Sequence, residues 1–286
     1  MSPSQWRLFI TALLGIFLLP PITQWLLQRL RMIRPNYRGD QIPVGFGICI
    51  LFWSAPVLGF LLYHGAGNKR HLAAYLLGVC GFGMLGFMDD AFGSSKARGL
   101  RGHFMALFKE HSITTGLIKA IGGIAISFFI TRVILTELPN AAILDCFIIA
   151  LSANMLNLLD VRPGRAAAIY ILLAMALIGI YYGDTSHFPA LIWVLIPAVL
   201  VYERDRRGLV MLGDCGANLL GGTLGIAFVL EGCSLGMRIT VLILLIVFHL
   251  LTEHFSLTRL IEANSILRYL DRLTGVRSPD TPRRLP

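Results

Sequence analysis

Long apolar runs, each closed by a short basic or Gly/Pro-containing joint, follow one another along most of the chain. A helix needs roughly 20 predominantly apolar residues to cross about 30 Å of hydrocarbon. On that length the pattern predicts about nine spans, near Trp6–Leu27, Val44–Tyr63, Leu72–Met88, Thr115–Leu135, Ala141–Leu156, Ala166–Tyr182, Phe188–Val201, Ala217–Leu230 and Met237–Leu251. The first holds Pro20-Pro21 and runs on through Trp25 and Leu26 with no small-residue cleavage site, so it reads as a span and not as a signal peptide. After the last span the pattern changes. Leu260, Leu267, Leu270 and Leu273 recur at helical spacing beside Glu262, Arg268, Asp271 and Arg272, which predicts an amphipathic helix lying on the inner membrane surface. The organisation expected is a transmembrane bundle over residues 1–257, an interfacial helix over 258–276 and a disordered tail over 277–286.

Composition agrees with that pattern. Hydrophobic residues make up 56% and charged residues 14%, against about 25% charged in a soluble domain. The fold class expected is therefore all-α, a polytopic membrane helix bundle, with no internal repeat, low-complexity segment or separate soluble domain. Short loops rich in Lys and Arg stay cytoplasmic. Taking alternate connections, one side collects Arg29, Arg31, Arg34, Arg38, Lys96, Arg98, Arg101, Lys109, Arg162, Arg165, Arg204, Arg206, Arg207 and the arginines from Arg259 to Arg284, about 19 in all. The other side holds Arg7, Lys69, Arg70, Arg132 and Arg238. The N-terminus is expected outside and the C-terminus in the cytoplasm, in a multi-pass plasma-membrane protein. The net charge of +9 is accounted for by the inner loops, which favour anionic lipid head groups and anionic substrates, so no nucleic-acid partner is implied. Cys49, Cys80 and Cys146 fall inside spans, Cys215 falls at the cytoplasmic side, and no CxxC pair occurs, so there is no disulfide framework.

On this topology the unusual polar residues meet at one membrane face. Gly86-Phe87-Met88-Asp89-Asp90 ends the third span; Asn154, Asn157 and Asp160 share one helical face at the end of the fifth; Asp214 stands just before the eighth in Gly213-Asp214-Cys215-Gly216. Carboxylates at a lipid boundary are costly unless solvated or paired. Asp214 alone also fits a helix N-cap. Asp89 and Asp90 oppose the macrodipole at a helix C-terminal end and require a cation nearby. Oxygen donors without a Cys/His cluster suit Mg²⁺ or Mn²⁺, which commonly complete their shell with substrate phosphates. With the basic residues of the same face, the site reads as one for a phosphorylated, pyrophosphate-bearing substrate. On these residues alone a cation-transport site is an equal reading, although the polar groups cluster at one face and trace no path across the bilayer.

Five segments in order carry a resemblance: Ile42-Pro43-Val44-Gly45-Phe46-Gly47, Gly86 to Asp90, Gly116-Leu117-Ile118-Lys119, the Asn-x-x-Asn-x-x-Asp of Asn154 to Asp160, and Met211-Leu212-Gly213-Asp214-Cys215-Gly216. Together they resemble the polyprenyl-phosphate N-acetylhexosamine-1-phosphate transferases, glycosyltransferase family 4. These include phospho-MurNAc-pentapeptide translocase and the bacterial GlcNAc-1-phosphate transferases. The resemblance implies that a polyprenyl phosphate such as undecaprenyl phosphate attacks the sugar-bearing phosphate of a UDP-N-acetylhexosamine. The products would be polyprenyl-diphospho-sugar and UMP, with Mg²⁺, as a first step of cell-envelope glycan assembly. Carried over residue by residue, Asp214 with Asp90 would hold the metal, and Asp89 would orient or deprotonate the lipid phosphate. Asp160 and Asn157 would line the nucleotide or metal site, with Asn154 and Arg162 on the substrate side, and Lys119 would contact phosphate.

The chain departs from the family pattern twice. Where the family continues Asp-Gly-x-Asp-Gly, this sequence has Asp160-Val161-Arg162-Pro163-Gly164, so Pro163 replaces an aspartate and Arg162 adds a positive charge. The family's long cytoplasmic loop with a His-rich motif has no counterpart; His249 and His254 read as structural histidines, and the amphipathic tail stands where that loop would cover the site. A catalytically inactive relative that binds a polyprenyl lipid or a partner protein is the alternative, and an ion or solute transporter the remaining one.

Overall fold

The structure, a computed structural model, describes residues 3–36, 38–93, 114–134, 141–180, 188–230 and 233–274. Each of the predicted apolar segments is helical: α1 (Pro3–Arg29), α2 (Ile48–Tyr63), α3 (Lys69–Phe92), α4 (Thr115–Phe129, continued by a π-helical turn Ile130–Ile134), α5 (Ala142–Leu159), α6 (Arg165–Ile180), α7 (Phe188–Arg206), α8 (Gly213–Leu230) and α9 (Leu235–His254). Among the described residues, 6 helices are long and apolar enough to cross a membrane: α1, α3, α4, α5, α8 and α9; α2 and α6 are apolar but shorter. The loop with Lys96, Arg98, Arg101 and Lys109 and the tail from residue 275 lie outside the described residues.

The bundle is built around α8, which is buried along almost its whole length. Its small residues make this possible. Gly221 and Gly225 lie against the backbone of α5 at Ser152, Ala153 and Ile149, and Gly222 lies against the Phe82 ring of α3. Without a hydrophobic drive between helices in lipid, such small-residue contacts are what let backbones approach. Phe46, Leu58, Val79, Ile148, Ile149, Leu156, Leu219 and Ile226 fill the spaces between these helices.

Four features depart from the expectations above. First, a short antiparallel hairpin, β1 (Ile33–Pro35) with β2 (Gln41–Pro43), stands after α1. The chain leaving it pairs with the lead-in to α8: Met211 N–H donates to the Pro43 carbonyl at 2.8 Å, Phe46 N–H to Met211 at 2.9 Å and Gly47 N–H to Leu212 at 2.8 Å. Second, α8 begins at Gly213, not at Ala217, because a side chain from α3 satisfies its first N–H groups. Third, α7 runs past Val201 to Arg206. Fourth, the predicted tail helix is two, α10 (Leu257–Ala263) and α11 (Ser265–Thr274), broken at Asn264. Asn264 Oδ1 accepts the N–H groups of Ile266 and Leu267 at 3.0 and 3.1 Å, starting the second helix as an N-cap does.

At the end of the bundle opposite the carboxylate cluster, Asp145 in the first turn of α5 forms a buried ion pair with Arg238 in the first turn of α9. Arg238 also donates through Nε to the Cys233 carbonyl at 2.9 Å and through Nη2 to Val229 at 3.3 Å. Removing either partner would leave the other charge buried and unpaired, which costs more than the pair contributes. All five cysteines are free, and Cys215 is buried within α8.

Candidate active site at one end of the bundle

The site starts from a close helix approach. Gly86 of α3 lies so near the first turn of α8 that a Cβ there would overlap the carbonyl of Asp214. One turn further on, Asp90 is 9% exposed and its carboxylate accepts the N–H groups of Asp214 at 3.0 Å and Cys215 at 2.9 Å. A carboxylate on the unsatisfied N–H groups of a helix start is favoured by both hydrogen bonding and the dipole. Gly213, at φ +73°, makes the turn into α8, and a Cβ there would meet both Asp90 oxygens and the Gly45 nitrogen. The hairpin closes over this corner, with Arg34 Nη2 donating to the Asp90 carbonyl at 3.4 Å.

Asp89 points elsewhere. Its Oδ2 pairs with Lys119 Nζ at 2.7 Å, and its Oδ1 accepts from Thr115 Oγ1 at 2.5 Å. Thr115 and Lys119 are one turn apart on α4 and so face the same neighbour. Lys119 also pairs with Asp214 Oδ2. With its amide oriented to satisfy both neighbours, Asn157 of α5 donates to Asp214 Oδ1 at 2.9 Å and accepts from Lys119 at 3.2 Å. Side chains from α3, α5 and α8 therefore converge on one ammonium group, presented by α4. This supplies the cation that Asp89 requires at the end of α3.

Asp160 caps the end of α5. Burial, and then the charges of Asp205, Asp214 and Asp90, push its carboxyl well above the usual carboxylate range. Asn154 lies on α5 a turn before Asn157. Arg162, expected on the substrate side, is engaged by the tail: it pairs with Glu262 of α10 and with Asp271 of α11, the latter at 2.7 Å. His249 and His254 donate through Nδ1 to the Leu245 and Leu250 carbonyls of their own helix, at 2.7 and 2.9 Å.

Among the described residues no three His, Cys, Asp or Glu side chains converge closely enough to enclose a metal ion. The donor set at Asp214, with Asp89 beside it on Lys119 and the Asn157 amide on its other oxygen, consists of oxygen and nitrogen hydrogen-bonding groups with no thiolate or imidazole. Both Asp214 oxygens are taken, one by Lys119 and one by Asn157, so a Mg²⁺ ion held there would displace one of these partners; the oxygen donors themselves are of the kind such an ion uses. Asp90 belongs to the same corner, but both its oxygens already serve the start of α8.

Sequence reasoning missed three contributors. Thr115 could have been found from its four-residue spacing to Lys119. Asp205 sits in Glu203-Arg204-Asp205-Arg206-Arg207, which reads as a solvated charge run. It is instead buried, and its carboxylate accepts Gly164 N–H at 2.7 Å and Leu212 N–H at 3.1 Å. Asn218, inside α8, donates to the Asp214 carbonyl at 2.6 Å.

A family model, Glycosyl transferase family 4, matches residues 72–232, more than half of the chain. That stretch holds Asp89, Asp90, Lys119, Asn157, Asp160 and Asp214 together. A comparison with curated proteins found no match.

Proposed function

The chain belongs to glycosyl transferase family 4, whose members are membrane glycosyltransferases acting on a sugar nucleotide and a lipid-phosphate acceptor, and from that footing we propose that it transfers an N-acetylhexosamine 1-phosphate from a UDP-sugar to a polyprenyl phosphate. The acceptor is of the undecaprenyl kind, the reaction takes place at the cytoplasmic face of the plasma membrane, and it serves cell-envelope glycan assembly. The observation that carries this reading is the convergence of Asp89, Asp214 and Asn157 on Lys119 at the end of the bundle where Asp160 also lies.

An oxygen of the acceptor phosphate forms a bond to the phosphorus bearing the sugar, the bond from that phosphorus to the bridging oxygen of the pyrophosphate breaks, and UMP leaves with the electron pair. Both reactants are anions, so catalysis rests on charge neutralisation and alignment. Lys119 spends its N–H donors on Asp89, Asp214 and Asn157 in the resting protein. It gives a phosphate oxygen one of these bonds on binding; that to Asn157, at 3.2 Å, is the longest that the geometry assigns. Asp89, held by Thr115 and Lys119, sits beside that charge and orients the incoming phosphate. Mg²⁺, when bound at Asp214, would supply further neutralisation of the pyrophosphate.

The test incubates purified protein with polyprenyl phosphate, Mg²⁺ and a panel of UDP-sugars, and measures UMP and lipid-linked sugar. The expected result is both products with one UDP-N-acetylhexosamine, abolished by EDTA and restored by Mg²⁺ or Mn²⁺. Nucleotide binding without product would favour an inactive relative, and ion flux in proteoliposomes a transporter.

A further inference from the structure

Helices α10 and α11 have no buried residue among them, yet one side chain of α11 is held firmly. The Asp271 carboxylate is 8% exposed; it accepts from Arg165 Nε at 2.6 Å and Nη2 at 3.1 Å, and from Arg162 Nη1 at 2.7 Å. Arg165 itself is 2% exposed, at the first position of α6. A bidentate guanidinium–carboxylate pair with a second arginine on one of its oxygens is both strong and directional. Arg162 lies within the turn Asp160–Arg165, which links α5 to α6, and Arg165 ends it.

That turn is connected to the site by two further contacts. Gly164, at φ +78°, packs against Thr274 at the end of α11, where its N–H donates to Asp205. The other Asp205 oxygen accepts Leu212 N–H, two residues before Asp214. Asp160 begins the turn, and the Asp205 carboxylate is the tie between the turn and the start of α8. A bond from the tail thus reaches both Asp160 and Asp214 through short, buried, charge-assisted steps.

We infer that Asp271 is a positioning residue: the tail helix clamps the Asp160–Arg165 turn and, through Asp205, sets the start of α8 that carries Asp214. The consequence for turnover rests on the transferase reading; the mechanical coupling does not. On the transferase reading, which gives Asp160 and Asp214 to the nucleotide and metal side, the substrate group that senses it is the nucleotide diphosphate of the sugar donor. The tail is therefore a working part of the site, joined to it at α11 by charge.

The experiment compares the full-length protein with Asp271→Asn and Asp271→Glu by hydrogen–deuterium exchange and by steady-state kinetics. The substitution leaves the buried Arg165 without its carboxylate, so unchanged exchange in α3 and α5 is the check that the bundle itself is spared. Asp271→Asn is expected to speed exchange at the amides of Gly164 and Leu212 and to raise KM for the UDP-sugar by about tenfold or more, as loss of a charge-assisted hydrogen bond does. KM for the polyprenyl phosphate should change less, and Asp271→Glu should restore much of the loss. Unaltered exchange at Gly164 and Leu212 overturns the coupling whether or not the protein is active. A lower KM in Asp271→Asn overturns it in favour of an inhibitory tail that masks Arg162. If the parent protein makes no product with any UDP-sugar, the transferase reading falls and the exchange measurement still decides the clamp.

Discussion

Asp90 closes the N-terminus of the helix that presents Asp214: its two oxygens accept the N–H groups of Asp214 and Cys215 at 3.0 and 2.9 Å. The two aspartates of Gly86-Phe87-Met88-Asp89-Asp90 thus have different work. Asp89 meets Lys119, while Asp90 holds the backbone of the next site residue. Asp90→Asn keeps the shape but replaces one acceptor oxygen by a donor, so thermal unfolding in detergent should show a loss of about 0.5–2 kcal/mol. Transfer should fall with it. An unchanged melting temperature would mean that Asp90 does not secure α8.

Asp214→Asn is expected to behave in the opposite way. The side chain sits at the rim of the bundle, with 31% of its area exposed, and contributes little to packing. Turnover should drop by about 10²–10³-fold, the size seen when one transition-state electrostatic contact is removed, while protein yield and melting temperature stay close to the parent's. Near-normal Mg²⁺-dependent transfer by this variant would reduce Asp214 to an acid in the first turn of a helix.

Lys119→Met leaves Asp89 and Asp214 facing one another without their shared ammonium. Breaking a buried pair costs about 3–5 kcal/mol, and the partial exposure of both carboxylates places this case at or below the lower end. Added Mg²⁺ should recover part of the lost melting temperature, because an ion that binds only the folded state stabilises it by mass action. A melting temperature that does not respond to Mg²⁺ in this variant would speak against a divalent-ion site at Asp214.

Gly86→Ala tests the helix approach directly. The added methyl overlaps the Asp214 carbonyl, which is backbone and cannot rotate away, so α3 and α8 must separate. Overpacking of this kind costs about 1–3 kcal/mol, and both the Asp90 cap and the Lys119 pair to Asp214 should suffer. Full activity with parental stability would show that the two helices tolerate separation.

The tail contact has a defined pH dependence. Burial alone would raise the Asp271 carboxyl, but the hydrogen bond and charge of Arg165 and the charge of Arg162 outweigh it and hold it below the usual range. A depressed carboxyl contributes stability that is present above the unfolded value, about pH 4, and lost as pH falls through the folded one. Protection of α11 from an acid-active protease should be constant from about pH 8 to 5 and disappear only below about pH 4. Loss between about pH 8 and 6 would assign the contact to a different group.

The helices were legible in the sequence for a physical reason: in lipid each segment must satisfy its own backbone, so an apolar run of sufficient length becomes a helix whatever surrounds it. The same constraint brought Asp89, Asp90, Asn157, Asp160 and Asp214 to one end of the bundle, since alternating spans leave polar residues at the faces. What each carboxylate does was decided only by tertiary structure. Asp89 and Asp90 are adjacent, hence about 100° apart around α3, and the close contact at Gly86 turns one toward Lys119 and the other toward the start of α8. The pairing of the Pro43–Gly47 segment with Met211 and Leu212, the burial of Asp205, and the hold of Asp271 on Arg162 and Arg165 join residues far apart in the chain. Charge runs such as Glu203–Arg207 carry no mark of which member turns inward, because that depends on the helix rotation and packing that only the assembled bundle sets.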